Sequence, residues 1–418
     1  MLVTTAAMAE PPLTISLQDA IQRARRYSSQ FQSAVTAAGL AREDSLQAKA
    51  ALLPTVNYFN QYIYTQANGT LSGIYVANDG VHVYSSQGLV HADLFAPGKR
   101  AEYQRTLAAE AIARAKTEIA GRGLVATVVE GYYGLISAQR KSANAQRSID
   151  EARRFLDITQ KQESGGEVAH ADVVKAQILV EQRLREAQDA GINVERGRIG
   201  LAVLLFPDFR QDFSVVDDFE SVPPLPPLSE IQDRATASSP ELRAAEAALR
   251  EETLGIASAR SALLPTLSFD YFYGINANQF AIYNERNQRN LGSEAQGTLL
   301  IPVWNWGASR SRIRQAELRR EQAQLDLGVA QRQLLANLDT FYLEARTARS
   351  QLDSLRHSVE LASESLRLTL LRYEAGDAIA LEVSDAQSTL TQARNAADDG
   401  VARYRLALAE IQTLTGVL

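Results

Sequence analysis

Four histidines, His82, His91, His170 and His357, are the side chains of this 418-residue sequence best suited to hold a metal or move a proton near neutral pH. None stands in a ligand spacing such as H-E-x-x-H, which sets two imidazoles on one helix face, so each reads as solvated or packed. Cysteine is absent, which excludes disulfides, thiolate metal sites and a cysteine nucleophile, and which suits an oxidising compartment. The stretch "APGKR" has the last glycine and lysine of a phosphate loop, yet Asp93 occupies the place of the required first glycine. No G-x-S-x-G occurs. The expectation is therefore no catalytic residue, no metal and no cofactor: not an enzyme.

Charge removes another class. The 43 basic and 49 acidic residues are mixed along the chain and leave a net charge of −6, which gives no electrostatic footprint for nucleic acid. Residues 1–15 read as a tail, with "MLVTTAAMAEPP" resembling the end of a secretory signal in which Ala7 and Ala9 frame a cleavage before Glu10. No run approaches eighteen apolar residues, so a membrane-spanning helix is not expected, while a membrane strand needs only alternation over about ten residues.

The elements that must position any functional group are written twice. "ALLPT" recurs with Pro54 and Pro265 separated by 211 positions, and Gly166 and Gly376 by 210, each ten residues before an Ala-Gln pair. Ser28-Ser29-Gln30-Phe31 corresponds to Ser239-Pro240-Glu241-Leu242. Two copies follow, residues 16–206 and 231–418, joined by a proline-rich linker over 207–230. In each, a helix (Leu17 to Leu52; Leu228 to Leu263) ends before the proline, which cannot continue it. A β-hairpin comes next, over 55–95 in the first copy and 266–304 in the second, where Leu267, Phe269, Tyr271 and Tyr273 alternate with Ser268, Asp270, Phe272 and Gly274.

A long helix follows each hairpin. Leu334, Leu338, Phe341, Ala345, Ala348, Leu352, Leu355, Val359, Ala362, Leu366, Thr369 and Tyr373 keep 4,3 spacing, the seam of a coiled coil. The first copy, from Arg100 to Gln162, would run roughly 90 Å at 1.5 Å per residue. A glycine turn then returns the chain along a second helix (Ala169 to Leu205; Ile379 to Leu414). The fold class expected is mainly α with a small β part: duplicated antiparallel coiled-coil hairpins plus two β-hairpins.

Two hairpins give four strands, too few to close a barrel in lipid, where open edges leave backbone groups unpaired. Several chains must share one sheet. Two copies would give eight strands around a filled interior and three would give twelve around a pore, so three are favoured.

The ordered set helix, hairpin, long helix, glycine turn, helix, written twice, with "ALLPT" at both first strands, "IPVWNWGASR" at the last strand's exit and "RYEAGDAIALEVSDAQ" at the second turn, resembles the TolC-like outer membrane channel-tunnel proteins of Gram-negative bacteria from about Leu17 onward. The exit "DLFAPGKR" departs from the family's proline-aromatic pattern. The resemblance implies a homotrimer with a twelve-stranded outer membrane barrel in contact with lipid and a periplasmic tunnel of twelve helices. It implies partnership with a periplasmic adaptor and an inner membrane transporter, in efflux or type I secretion. A periplasmic coiled-coil adaptor that bridges membranes without forming a channel is the alternative.

The same resemblance assigns site residues. Glu382 and Asp385, three apart on one helix face, become a pore-facing acidic ring at the periplasmic tip in three copies; a solvated face is the competing reading. Tyr373 and Asp172 fall on the positions of the family's hydrogen-bonded latch, although Tyr373 also ends the apolar seam, and Ala378 replaces the basic residue that supports that latch. Gly166 and Gly376 supply the tight turns and mark the adaptor-docking tips. Tyr58, Tyr62, Tyr64, Phe269, Tyr271, Tyr273, Trp304 and Trp306 suit an interfacial belt around a barrel, or equally an ordinary sandwich core.

Overall fold

The computed structural model describes residues 13–64 and 82–417; the expected signal tail up to residue 12 and the tip of the first hairpin lie outside them. Fourteen elements follow in order among the described residues: β1 (Leu13–Ile15), α1 (Leu17–Tyr27), α2 (Ser29–Ala50), β2 (Thr55–Tyr64), β3 (His82–Phe95), α3 (Pro97–Ser164), α4 (His170–Leu205), β4 (Phe213–Val215), α5 (Leu228–Ser238), α6 (Pro240–Ser261), β5 (Thr266–Ala277), β6 (Leu291–Leu300), α7 (Ala308–Glu374) and α8 (Ala380–Thr415). The order α1-α2-β2-β3-α3-α4 recurs as α5-α6-β5-β6-α7-α8, with helices of 11, 22, 68 and 36 residues in the first run and 11, 22, 67 and 36 in the second. The chain is mainly α with a small β part, as its sequence pattern requires.

The single helix expected before each "LLPT" is two. Ser28 and Ser239 are extended, and each break has a local cause. The Ser28 hydroxyl accepts the Phe31 N–H and so starts α2 afresh, while Pro240 disfavours helical geometry at Ser239. The last hairpin strand also stops short of the expected residue 304. β6 ends at Leu300 because Pro302 has no N–H to give a ladder.

The chain divides into two compact units. Among the described residues the helical unit comprises 13–35, 116–241 and 331–417, and the sheet unit comprises 36–64, 82–115 and 242–330. In the helical unit the coiled-coil seam is the core: Leu334, Leu338, Ala345, Ala348, Leu352, Ala362, Leu366 and Tyr373 are all buried. The linker is not an idle connection. Its β4 pairs in parallel with β1, and four side chains from α3 and α8 strap it down. Tyr132 donates its hydroxyl to Val216 O at 2.8 Å, Tyr133 to Asp218 at 3.3 Å and Tyr404 to Pro223 O at 2.6 Å, and Arg405 donates to Asp218 O at 2.7 Å. Burial, reinforced by the Asp218 charge, pushes the Tyr132 and Tyr133 hydroxyls up to about 12. Nothing in the proline-rich segment advertised the three-residue strands, whose partners lie 200 positions apart.

Candidate functional site: an amphipathic sheet and a helical tip

In the sheet unit the two hairpins form one antiparallel sheet, in the order β2-β3-β5-β6. The register settles which residues share a face, because directly paired residues on neighbouring strands point the same way. Val56 pairs with Val90, Val90 with Tyr271, and Tyr271 with Ala295; Tyr58 pairs with Gly88, Gly88 with Tyr273, and Phe269 with both Ala92 and Gly297. Tyr62, Tyr64, Phe269, Tyr271 and Tyr273 therefore stand with Tyr58 on one aromatic face, where the small residues of β3 and β6 leave room for the rings. On that face Tyr62 lies 4.8 Å from Tyr84, and the Tyr58 hydroxyl bonds Ser86 at 2.7 Å.

The opposite face is largely polar. It carries Asn57, Gln61, Ser85, Gln87, His91, Asp93, Ser268, Asp270, Asn276, Glu294, Gln296 and Thr298 by the same pairings. His91 Nδ1 meets Asp270 at 2.7 Å and Ser85 donates to Asn276 at 2.9 Å. Phe59, Ile63, Val83, Leu89, Phe272 and Leu300 are its apolar exceptions. Among the described residues β2 pairs only with β3 and β6 only with β5, so both outer strands present unpaired backbone, and every residue of β2 is exposed. Among the described residues no second sheet and no helix packs across this sheet, which is not the arrangement of a sandwich core. Trp304 and Trp306 stand beyond β6, edge to face at 5.7 Å and both exposed, with Trp306 held at φ 56 by the tight turn into α7.

At the tip of the helical unit, the long helices end on glycine for a steric reason. Gly166 (φ 78) and Gly376 (φ 81) are left-handed, which a side chain resists. The flanking bonds, Glu167 N to Gln162 O and Gly166 N to Glu163 O, then Asp377 N to Arg372 O and Gly376 N to Tyr373 O, occupy the last carbonyls of α3 and α7. Even Asn and Asp tolerate this geometry less well than glycine, so the two turns have a structural need for it.

Glu382 and Asp385 sit on the first turns of α8 in different surroundings. Glu382 accepts the Ile379 N–H at 3.4 Å and Arg372 at 3.2 Å, so much of its charge is matched within the chain. Asp385 is exposed, with no side-chain partner among the described residues. Tyr373 and Asp172 are not brought together. Tyr373 is buried against Phe155, ring centres 5.1 Å apart, and donates to Thr159 at 3.2 Å, while Asp172 pairs with Lys175 at 3.1 Å. In place of the expected latch, the structure shows a packed tyrosine whose hydroxyl is taken by Thr159.

What joins the two repeats at this tip is a different set. Gln162 donates to Tyr373 O at 3.1 Å, Gln387 to Glu151 O at 3.2 Å, Arg394 to Glu151 at 3.0 Å and Arg183 to Ser388 at 2.7 Å. Arg183 is buried and also holds Glu186 at 2.7 Å. One sequence signal could have found it: Val173, Ala176 and Val180 lead by helical spacing to position 183, so an arginine occupies the apolar seam of α4. No spacing rule reveals its partner 205 positions away.

A profile of the outer membrane efflux protein family matches residues 20–205 and again 231–417. The chain is 23% identical over 422 residues to the alkaline protease secretion protein AprF of Pseudomonas aeruginosa, covering 98% of this chain and 86% of that one. It superposes on the outer membrane protein VceC of Vibrio cholerae with a TM-score of 0.83 and 16% identity, over 96% of both chains. A membrane protein of Pseudomonas aeruginosa superposes with a TM-score of 0.84 and 20% identity, over 97% of this chain and 91% of that one.

Proposed function

Because the chain belongs to the outer membrane efflux protein family, we propose that three copies assemble into one outer membrane channel, each contributing its four-stranded sheet to a shared barrel and its long helices to a periplasmic tunnel. The observation that carries this is the sheet itself: an aromatic face, a polar face and two unpaired edges in one antiparallel array. Strands of 10 to 14 residues match the about 9–11 residues that a tilted strand needs to cross a bilayer. Lipid covers the aromatic face, the polar face lines the pore, and edge β2 of one subunit meets edge β6 of the next, so that no backbone group faces hydrocarbon unpaired. Conduction is passive and the chain has no enzymatic activity; an adaptor and an inner membrane transporter engage the turns around Gly166 and Gly376 and select the cargo.

The tip acts as the selective constriction. Asp385, exposed and unmatched, carries most of the field of the acidic ring, and Glu382 contributes less because Arg372 is already on it. Single-channel recording in planar bilayers tests both levels. The trimer is expected to conduct with a preference for cations, which Asp385→Asn reduces more than Glu382→Gln and the double change abolishes. A protein that forms no pores sinks the channel, and pores whose selectivity ignores all three variants sink the gate.

A further inference from the structure

The end of the sheet from which the long helices leave is written in the same way in both repeats: apolar side chains, then basic ones. β3 leaves through Leu94 and Phe95 into Lys99 and Arg100, and β6 leaves through Val303, Trp304 and Trp306 into Arg310 and Arg312. All of these are exposed, Val303 and Trp306 to 88%. The pairing of Thr55 with His91, Leu267 with Phe95 and Thr266 with Leu300 places both exits at one end of the sheet. In a chain of net charge −6, residues 308–320 hold five arginines against one glutamate.

The first exit is also concave. A cleft of about 540 Å³ is lined by Leu52, Leu94, Phe95, Arg100 and Tyr103, with Asp93 at its wall. Apolar walls with one guanidinium at the mouth suit a ligand with a hydrocarbon body and an anionic head. The only carboxylate there, Asp93, is already engaged by Lys99, so no carboxylate in the cleft is free to pair with an ammonium group. Arg100, Arg310 and Arg312 have no carboxylate within salt-bridge distance among the described residues.

Resting on the channel reading, which puts this end of the sheet at the periplasmic boundary of the membrane, we propose that the two strand-to-helix junctions form a binding collar for anionic phospholipid. The head-group phosphate sits on Arg100 in the cleft and on Arg310 and Arg312 beside Trp304 and Trp306, whose rings lie at the hydrocarbon edge. The preference is for phosphatidylglycerol over phosphatidylcholine, because the uncompensated arginines attract the net negative head of the first, whereas the choline cation of the second cancels its phosphate charge and is itself repelled.

The test is to incubate the purified trimer with detergent micelles holding equal amounts of the two lipids, repurify it and quantify the lipid retained. Phosphatidylglycerol is expected to be enriched, by about fivefold for each arginine that contributes, and the enrichment to shrink in high salt. Arg100→Gln combined with Arg310→Gln and Arg312→Gln removes it, whereas Arg319→Gln with Arg320→Gln, further along α7, leaves it. Equal retention of both lipids, or an enrichment unchanged by the first set or lost equally with the second, overturns the collar. A trimer that conducts but shows no lipid preference sinks this inference alone; failure to trimerise or conduct sinks the channel reading instead.

Discussion

Replacing Gly274 with alanine should prevent the barrel from forming. Gly274 pairs with Gln87 in the β3–β5 ladder, the seam that joins the hairpin of one repeat to that of the other. A Cβ there would stand 2.2 Å from Ser86 O and 2.6 Å from Gln87 Cα. Both are backbone atoms, so no rotamer change relieves the contact, and the strands must part by roughly 1 Å in a close-packed structure. The ladder bonds on either side are then lost. With several kcal/mol for each backbone group left unsatisfied in hydrocarbon, the cost is about 4–8 kcal/mol per chain, and it recurs in every subunit. Gly297 is the control. It lies on β6, where an added methyl would meet nothing within 4 Å, so Gly297→Ala should be silent. The assay is the oligomer that survives unheated detergent electrophoresis, followed through a heating series. Gly274→Ala should show single chains only, and Gly297→Ala the wild-type oligomer. A Gly274→Ala oligomer with the wild-type melting point would refute the register on which the two faces of the sheet rest.

Two further outcomes concern the helical unit. Ser388→Ala leaves the buried Arg183 guanidinium short of an acceptor, beside an Nε that already has none, and should cost about 1–3 kcal/mol, whereas Arg183→Met removes the buried charge and should be neutral or stabilising; thermal unfolding followed by circular dichroism should show the midpoints moving in that order. Tyr132 and Tyr133 carry folded-state values raised to about 12 from 10.0, so the stability that comes from keeping them protonated is intact below pH 10 and declines between pH 10 and 12, by up to about 3 kcal/mol per tyrosine. Alkaline titration of the helical signal should show this fall, reduced in Tyr133→Phe.

Much of this architecture was legible in the residues because its causes are local. Alternation in Leu267 to Gly274 declares a strand, 4,3 spacing from Leu334 to Tyr373 declares a seam, and a glycine ten residues before Ala-Gln declares a turn; each signal repeats within a dozen positions. The break at Ser28 was hidden because a hydroxyl cap is no louder than any other serine, whereas the break at Ser239 was legible in Pro240, which disfavours helix in the residue before it. The pairing of β1 with β4 and the ties of Arg183, Gln162 and Gln387 escaped for another reason. They join residues about two hundred positions apart, and no short-range pattern encodes a partner at that distance. Tyr373 shows the two levels in conflict: its place at the end of the seam foretold burial, and burial brought Thr159 rather than Asp172 to its hydroxyl.

The sharing of one sheet between subunits is tested most directly at its edges. The chain has no cysteine, so cysteines can be placed in pairs, one on β2 and one on β6, and scanned along both strands in the assembled protein before mild oxidation. Covalent species that end at three chains, at a single register of the two edges and absent from either single-cysteine variant, are the predicted result. Folded, membrane-inserted protein that yields no link between chains at any register would contradict it.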